Sequence, residues 1–262
     1  PAPWPPIPSL EGASPYRARF KQGATIVPRR FFFVERDVAG RLGPNPNAPR
    51  VKGKVGRLDK RPWSTIEPPH GPVEAEFIRP VLLGESMAAF RLLRVPVCVV
   101  PVRGREVMDS HAASDAGFRH LAAWLRDAEG KWAEHAAKRV DGRLRMTLLQ
   151  RLDHMHGLSA QIPVPTTRVV YAKAGTLFAA TILTDVQILV DHMAYWAAAR
   201  SMAEAQYLCA VLNSDAARRL IAPMQPKGQG GARHFDNLVW ELPLPEYDRR
   251  ERLHRDLAAA AA

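Results

Sequence analysis

SMAEAQYLCAVLNSDAARRLI (residues 201–221), APMQPKGQGGARHFDN (222–237) and LVWELPLP (238–245) follow one another without interruption, and their reading decides the fold. Ser201 and Glu204 have the spacing of a capping box, in which each side chain satisfies an orphan amide of the first helical turn. Leu208, Val211, Leu212 and the residues from Ala216 to Leu220 recur at helical spacing, predicting an apolar stripe on a helix over 202–221. Pro223 and Pro226 end it, because neither can donate the next backbone hydrogen bond. Gly228, Gly230 and Gly231 loosen the following turn, and Lys227, Arg233 and His234 charge it, giving a cationic loop over 223–236. Residues 238–244 are mostly apolar and close on Pro243 and Pro245, as a strand at a sheet edge would. Phe235 is assigned to the core.

The chain upstream divides by composition. Residues 1–8 (PAPWPPIP) are too proline-rich for helix or central strand and read as a linker or extended arm over 1–15. Residues 25–35 (TIVPRRFFFVE) are β-branched and aromatic and predict a strand. Arg29 and Arg30 at its centre are either an exposed strand face or phosphate contacts. Between 40 and 60, turn formers give way to Arg50, Lys52, Lys54 and Arg57, alternating with Val51, Gly53, Val55 and Gly56. That alternation suits a hairpin arm with one basic face, continued by Lys60 and Arg61. Trp63 beside them is either a core residue or a base-stacking platform. Residues 74–80 and 98–102 predict strands, the second a continuous apolar run and therefore central.

Residues 114–140 change character. Phe118, Leu121, Leu125 and Ala128 fall on one helical face, and Trp132, Ala136 and Arg139 extend it past a break at Gly130. Asp127, Glu129, Lys131 and Glu134 form the solvated side. Residues 169–171 and 177–183 predict a hairpin around Ala174-Gly175, and 249–259 a closing helix with Leu253 and Leu257 inward. Residues 187–199 are ambiguous by periodicity, although Val186, Leu189, Val190, Met193 and Trp196 would suit a helix. The expected organisation is a first β-rich lobe (16–112), a helical connector (113–142) and a second α+β lobe (143–262). The fold class is α+β, with mixed, mostly antiparallel sheets in one or two lobes and a C-terminal helix–loop–strand–helix.

A chain of 262 residues, 47% hydrophobic and 24% charged, has the material for a real core, and its net charge of +11 favours a polyanionic partner. An arginine-rich solvated surface is the plainer reading of the same excess. Cys98 and Cys209 sit in apolar contexts and read as buried thiols, which favours a reducing, cytoplasmic compartment. No apolar run has membrane-spanning length and no signal peptide opens the chain. It starts without methionine and ends in five alanines, as a piece excised from something longer would.

Several segments carry a family resemblance. EAQYLCAVLNS followed by GGARHF and LPLP resembles the C-terminal region of adenine-specific (N6) DNA methyltransferases of restriction–modification systems, the target-recognition or TaqI-like specificity domain. GATIVPRRFFFVE (23–35), VEAEFIRPVLLGES (73–86), VVYAKAGTLFAATI (169–182) and VDHMAYWA (190–197) match in order, so the resemblance spans residues 16–257. It implies a strand rather than a helix for 187–199. It also implies double-stranded DNA as partner, an upstream methyltransferase domain of the same protein, and a fused or separate restriction nuclease.

Catalytic motifs of that family are missing. Adenine amino-methylation needs a glycine-rich loop for S-adenosylmethionine and an Asp/Asn-Pro-Pro-aromatic tetrapeptide that grips the flipped base. Glu67-Pro68-Pro69-His70 has neither the right first residue nor the aromatic and reads as a loop. Gly228-Gln229-Gly230-Gly231 follows a helix rather than a strand and opens no helix, so it fails as a nucleotide fingerprint. His154 and His156 could begin a metal site on a strand but have no clustered partners. Asp191-His192 resembles half a catalytic dyad without a nucleophile. The sequence therefore reads as a non-catalytic DNA target-recognition domain, with S-adenosylmethionine expected only in the upstream domain. Its DNA-contact candidates are Arg29, Arg30, Arg50, Lys52, Lys54, Arg57, Lys60, Arg61, Lys227, Gln229, Arg233 and His234. An RNA-binding module, with Phe31, Phe32 and Phe33 as its aromatic platform, is the alternative. A stand-alone hydrolase using His192 is the third.

Overall fold

Short β-branched and aromatic runs build two large sheets, besides two-stranded ones, in the computed structural model, which describes residues 14–37, 43–56, 59–175, 178–225 and 234–262. One sheet has four antiparallel strands in the order Lys21–Gln22, Ala194–Ala198, Arg168–Ala172, Ala180–Leu183. Along Arg168–Ala172, Val169 and Tyr171 face a core shared with Tyr207, Leu208, Leu212 and Trp240, while Val170 and Ala172 face one shared with Leu82 and Val190. Both faces are covered, which is why Val169–Ala172 reads as an unbroken apolar run.

The second sheet has six strands, in the order Leu189–Val190, Ile78–Leu82, Val97–Val99, Phe33–Arg36, Arg50–Gly53, His70–Pro72. All its pairings are antiparallel except that of Leu189–Val190 with Ile78–Leu82. Val97–Val99 is central, as its composition predicts. The helix Arg119–His135 is continuous through Gly130 and buries Leu121, Trp124, Leu125, Ala128 and Trp132. Its indoles fasten it, Trp124 Nε1 donating to the Phe31 carbonyl at 2.9 Å and Trp132 Nε1 to the Met146 carbonyl at 2.8 Å. It packs into the cores beside the six-stranded sheet and so is part of the body, not a connector. The expected lobes also interleave: Lys21–Gln22 completes the four-stranded sheet and Leu189–Val190 the six-stranded one. The architecture is α+β with mixed, mostly antiparallel sheets.

Several expected elements differ, each for a packing reason. Residues 25–35 are not one strand: Arg29–Phe32 form a helical turn and only Phe33–Arg36 are extended. An alternating strand would have exposed one or two of the three phenylalanines, whereas the turn buries Phe31, Phe32 and Phe33 together. The predicted edge strand at 238–244 is instead a 3-10 turn, Leu238–Glu241, which buries the adjacent Val239 and Trp240. Trp240 Nε1 donates to the Tyr171 hydroxyl at 3.0 Å, fixing that turn. The helix over 202–221 is two, Met202–Asn213 and Asp215–Ile221, because Ser214 ends the first and caps the second through Ala217 N at 3.1 Å. Asn213, the last residue of the first helix, turns its amide onto the sheet, exchanging hydrogen bonds with the backbone of Ala180. The closing helix, Arg252–Ala260, turns His254 and Ala258 inward and leaves Leu253 66% exposed, contrary to its assignment. Residues 187–199 form no helix but two short strands, Leu189–Val190 and Ala194–Ala198, with a turn between them.

Only half of the capping box forms. Ser201 Oγ accepts from Glu204 N at 3.1 Å. The Glu204 carboxylate reaches past the cap to accept from Arg200 N at 2.6 Å, and from Arg19 at 2.6 and 3.1 Å. Burial alone would raise the Glu204 pKa, but these hydrogen bonds outweigh it and hold the carboxyl below its ordinary range.

Candidate nucleic-acid interface

Basic residues gather on the last strands of the six-stranded sheet and the segment that leaves them. Arg50–Gly53 keeps its predicted alternation, Arg50 and Lys52 exposed and Val51 and Gly53 buried. It is not a free hairpin arm, since Phe33–Arg36 pairs on one side and His70–Pro72 on the other. Two of its cations are shared within the sheet: Lys52 Nζ lies 3.3 Å from Glu35 and Arg50 Nη2 3.4 Å from Asp37. In a solvated setting such pairs are worth roughly 0–1 kcal/mol and leave both cations able to exchange onto phosphate.

The next residues are held from beneath by a buried ion pair. Arg30 is 3% exposed; its guanidinium donates to Asp59 at 3.1 and 3.0 Å and to the Ile66 carbonyl. Asp59 also accepts from Gly56 N at 3.1 Å. Arg30 is thus committed internally and is not a phosphate contact, which corrects its assignment. The pairing has a second effect: the acid that lies within the basic segment is neutralised below the surface. Lys54, Lys60 and Arg61 stay exposed, and none has an acidic partner among the described residues. Gly53 permits the arrangement, since a Cβ there would lie 2.0 Å from the Arg30 carbonyl oxygen.

The other candidates divide. Arg29 is half-exposed and braced, its guanidinium 3.6 Å from the buried Asp191 and 5.3 Å from the centroid of Phe33. Asp191 also bonds His192 Nδ1 at 3.1 Å and accepts from Met193 N at 3.0 Å, so it ties this turn to Arg29. Arg57, Lys227, Gln229 and Arg233 lie outside the described residues. His234 is exposed at the far end of that loop, where its carbonyl accepts from Gln225 Nε2 at 3.1 Å. Phe235 is buried as assigned, and Asp236 accepts from Tyr195 OH at 3.3 Å while Lys173 Nζ lies 3.1 Å away. The loop's end is therefore fixed to the four-stranded sheet.

Aromatic side chains offer no exposed sheet platform in residues 31–33, all three being buried. Trp63 takes its core reading, stacked on Trp132 with centroids 5.0 Å apart and 8° between planes. These two indoles, with Arg145 and Arg151, line a cleft of about 270 Å³. Its lining includes two guanidinium groups and no carboxylate. His154 and His156 sit in a turn, not on a strand. Among the described residues no group of three or more His, Cys, Asp or Glu could hold a metal ion. No helix among them is long and apolar enough to cross a membrane.

Sequence reasoning overlooked the hairpin Met87–Ala88/Arg91–Leu92, whose tip carries Phe90 at φ 64°, 49% exposed. Its only sequence signal is an apolar run broken by arginines, FRLLR, with no glycine at the turn.

No protein-family model matches the chain, and no curated protein sequence matches it. Among solved structures, the type IIG restriction endonuclease BpuSI aligns over 93% of this chain with a TM-score of 0.41 and 10% identity. The chain spans about a quarter of that protein, 26% of its length.

Proposed function

We propose that the chain is a DNA target-recognition domain of an adenine-specific DNA methyltransferase from a restriction–modification system. In this reading it grips duplex DNA, while methyl transfer and S-adenosylmethionine binding belong to an upstream domain. The observation that carries the reading is the exposed triad Lys54, Lys60 and Arg61, without acidic partners among the described residues and beside the Arg30–Asp59 pair. Cations beside such a buried pair meet a phosphate backbone with less ordering cost. The net charge of +11 supports the same partner, as does the ordered set of motifs over residues 16–257. Because the sequence has neither motif that amino-methylation requires, no catalytic step is assigned to its residues.

Duplex binding measured against salt tests the proposal. About six phosphate contacts give a log–log slope near −5. A flat profile, or clear preference for single-stranded RNA over duplex DNA, overturns it.

A further inference from the structure

The hairpin at 87–92 combines three features that packing alone does not explain. Phe90 is an aromatic residue in left-handed backbone conformation, at the turn position where glycine would be at ease. Such a conformation costs on the order of 1–3 kcal/mol and persists only where its surroundings over-determine it. Here Phe90 N donates to the Ala180 carbonyl at 2.9 Å and Leu93 N to the Ser86 carbonyl at 2.8 Å, pinning the tip against the four-stranded sheet. The strain gains no burial in return. Phe90 is 49% exposed, Leu92 39% and Leu93 52%, and all of residues 89–94 are exposed. Arg91 and Arg94 flank these apolar side chains, and neither has an acidic partner among the described residues.

A rigid apolar tip between unpaired cations matches the chemistry of a stacked polyanion. Phosphates take the guanidinium groups, and the ring fits between base pairs that it partly unstacks. An apolar protein surface would leave Arg91 and Arg94 without counter-charge, which favours the nucleic acid. Resting on the reading of the chain as a duplex-DNA binder, we propose that Phe90 is a wedge that inserts between base pairs of bound DNA, with Arg91 and Arg94 on the neighbouring phosphates. Phe90 takes no part in chemistry; it deforms the duplex, and it favours flexible pyrimidine–purine steps, which unstack most readily. Sequence preference then arises at a step whose base edges no side chain touches.

The test uses the full chain and a duplex of about 30 base pairs with end-placed dyes and 2-aminopurine beside a central TA step, long enough to report bending. Wild type is expected to raise the 2-aminopurine signal and shorten the dye separation. Phe90→Ala and Phe90→Gly should abolish both and weaken binding about tenfold, whereas Phe90→Met should retain most of the effect. Glycine is at ease at positive φ, so Phe90→Gly should not lower the melting temperature, and its loss of bending cannot then be attributed to unfolding. If the variants unstack and bend DNA as wild type does, with the salt slope intact, the wedge is overturned and the DNA-binding reading stands. If wild type binds no duplex, both are overturned. Phe90 variants that bind DNA normally but lose association with another protein also overturn the wedge, assigning the tip to protein docking.

Discussion

Replacing Lys54, Lys60 and Arg61 together with alanine isolates the electrostatic contribution of the moored segment. Each cation that displaces a condensed counterion contributes about 0.9 to the log–log salt slope, so the triple variant should fall from near −5 to about −2. The same relation sets the loss in affinity. Near 0.1 M salt each contact is worth about 0.9 log units, so the loss approaches 500-fold if all three meet phosphates. Stability should hardly move, because the three side chains are exposed and lack acidic partners among the described residues, and the Arg30–Asp59 pair beneath them is untouched. Fluorescence anisotropy on a labelled duplex, titrated at salt from about 50 to 400 mM, reads slope and affinity together. A slope unchanged within about half a unit would show that the segment meets no phosphate, and the interface would have to lie elsewhere.

Three further outcomes follow from the packing. Glu204→Gln removes the charge from a carboxylate only 3% exposed that binds Arg19 and Arg200 N, and should cost about 2–3 kcal/mol, below the fully buried range because Arg19 is 22% exposed. The folded-state pKa of Glu204 is depressed, so the stabilisation is complete above the ordinary carboxylate range and lost as pH falls through the folded value. Denaturation curves of wild type and variant should therefore converge in acid; a gap independent of pH refutes the assignment. Gly53→Ala places a methyl 2.0 Å from the Arg30 carbonyl and 2.7 Å from Pro68 Cβ, and urea unfolding should report a loss of about 1–3 kcal/mol. Wild-type stability in that variant would mean the strand does not press on the Arg29–Phe32 turn. Burial pushes the Cys209 thiol up to about 12 and raises the Cys98 thiol, so neither should react with a thiol reagent at pH 8 until the chain unfolds. Stoichiometric labelling of the native protein would contradict this.

What could be read from the residues was what depends on near neighbours. The Ser201 cap, the hairpin Arg168–Ala172/Ala180–Leu183 and the central position of Val97–Val99 all rest on patterns a few residues long. The departures come from distant partners. Phe31, Phe32 and Phe33 can all be buried only because one core, with Val81, Trp132 and Leu152 from distant parts of the chain, receives them, and Trp240 is held by Tyr171, which no local period announces. The same holds for the interface. Alternation marked Arg50 and Lys52 as exposed, yet nothing near Arg30 told that Asp59 would draw it inside. Phe90 was missed because its turn lacks the glycine by which such turns are recognised.

The exchange of short strands between the two sheets bears on how the molecule is made. Lys21 pairs with Trp196, and Leu189 pairs with Val81, so each sheet waits for chain from the other half. Closing such distant pairs must precede their reward, which slows folding relative to a protein of local contacts. The first half, as it emerges from the ribosome, cannot complete its six-stranded sheet, and leaves the outer edge of Ile78–Leu82 open until residues 189–190 arrive. Cutting the chain between its two halves would therefore yield not two modules but two incomplete sheets, each with a bare edge.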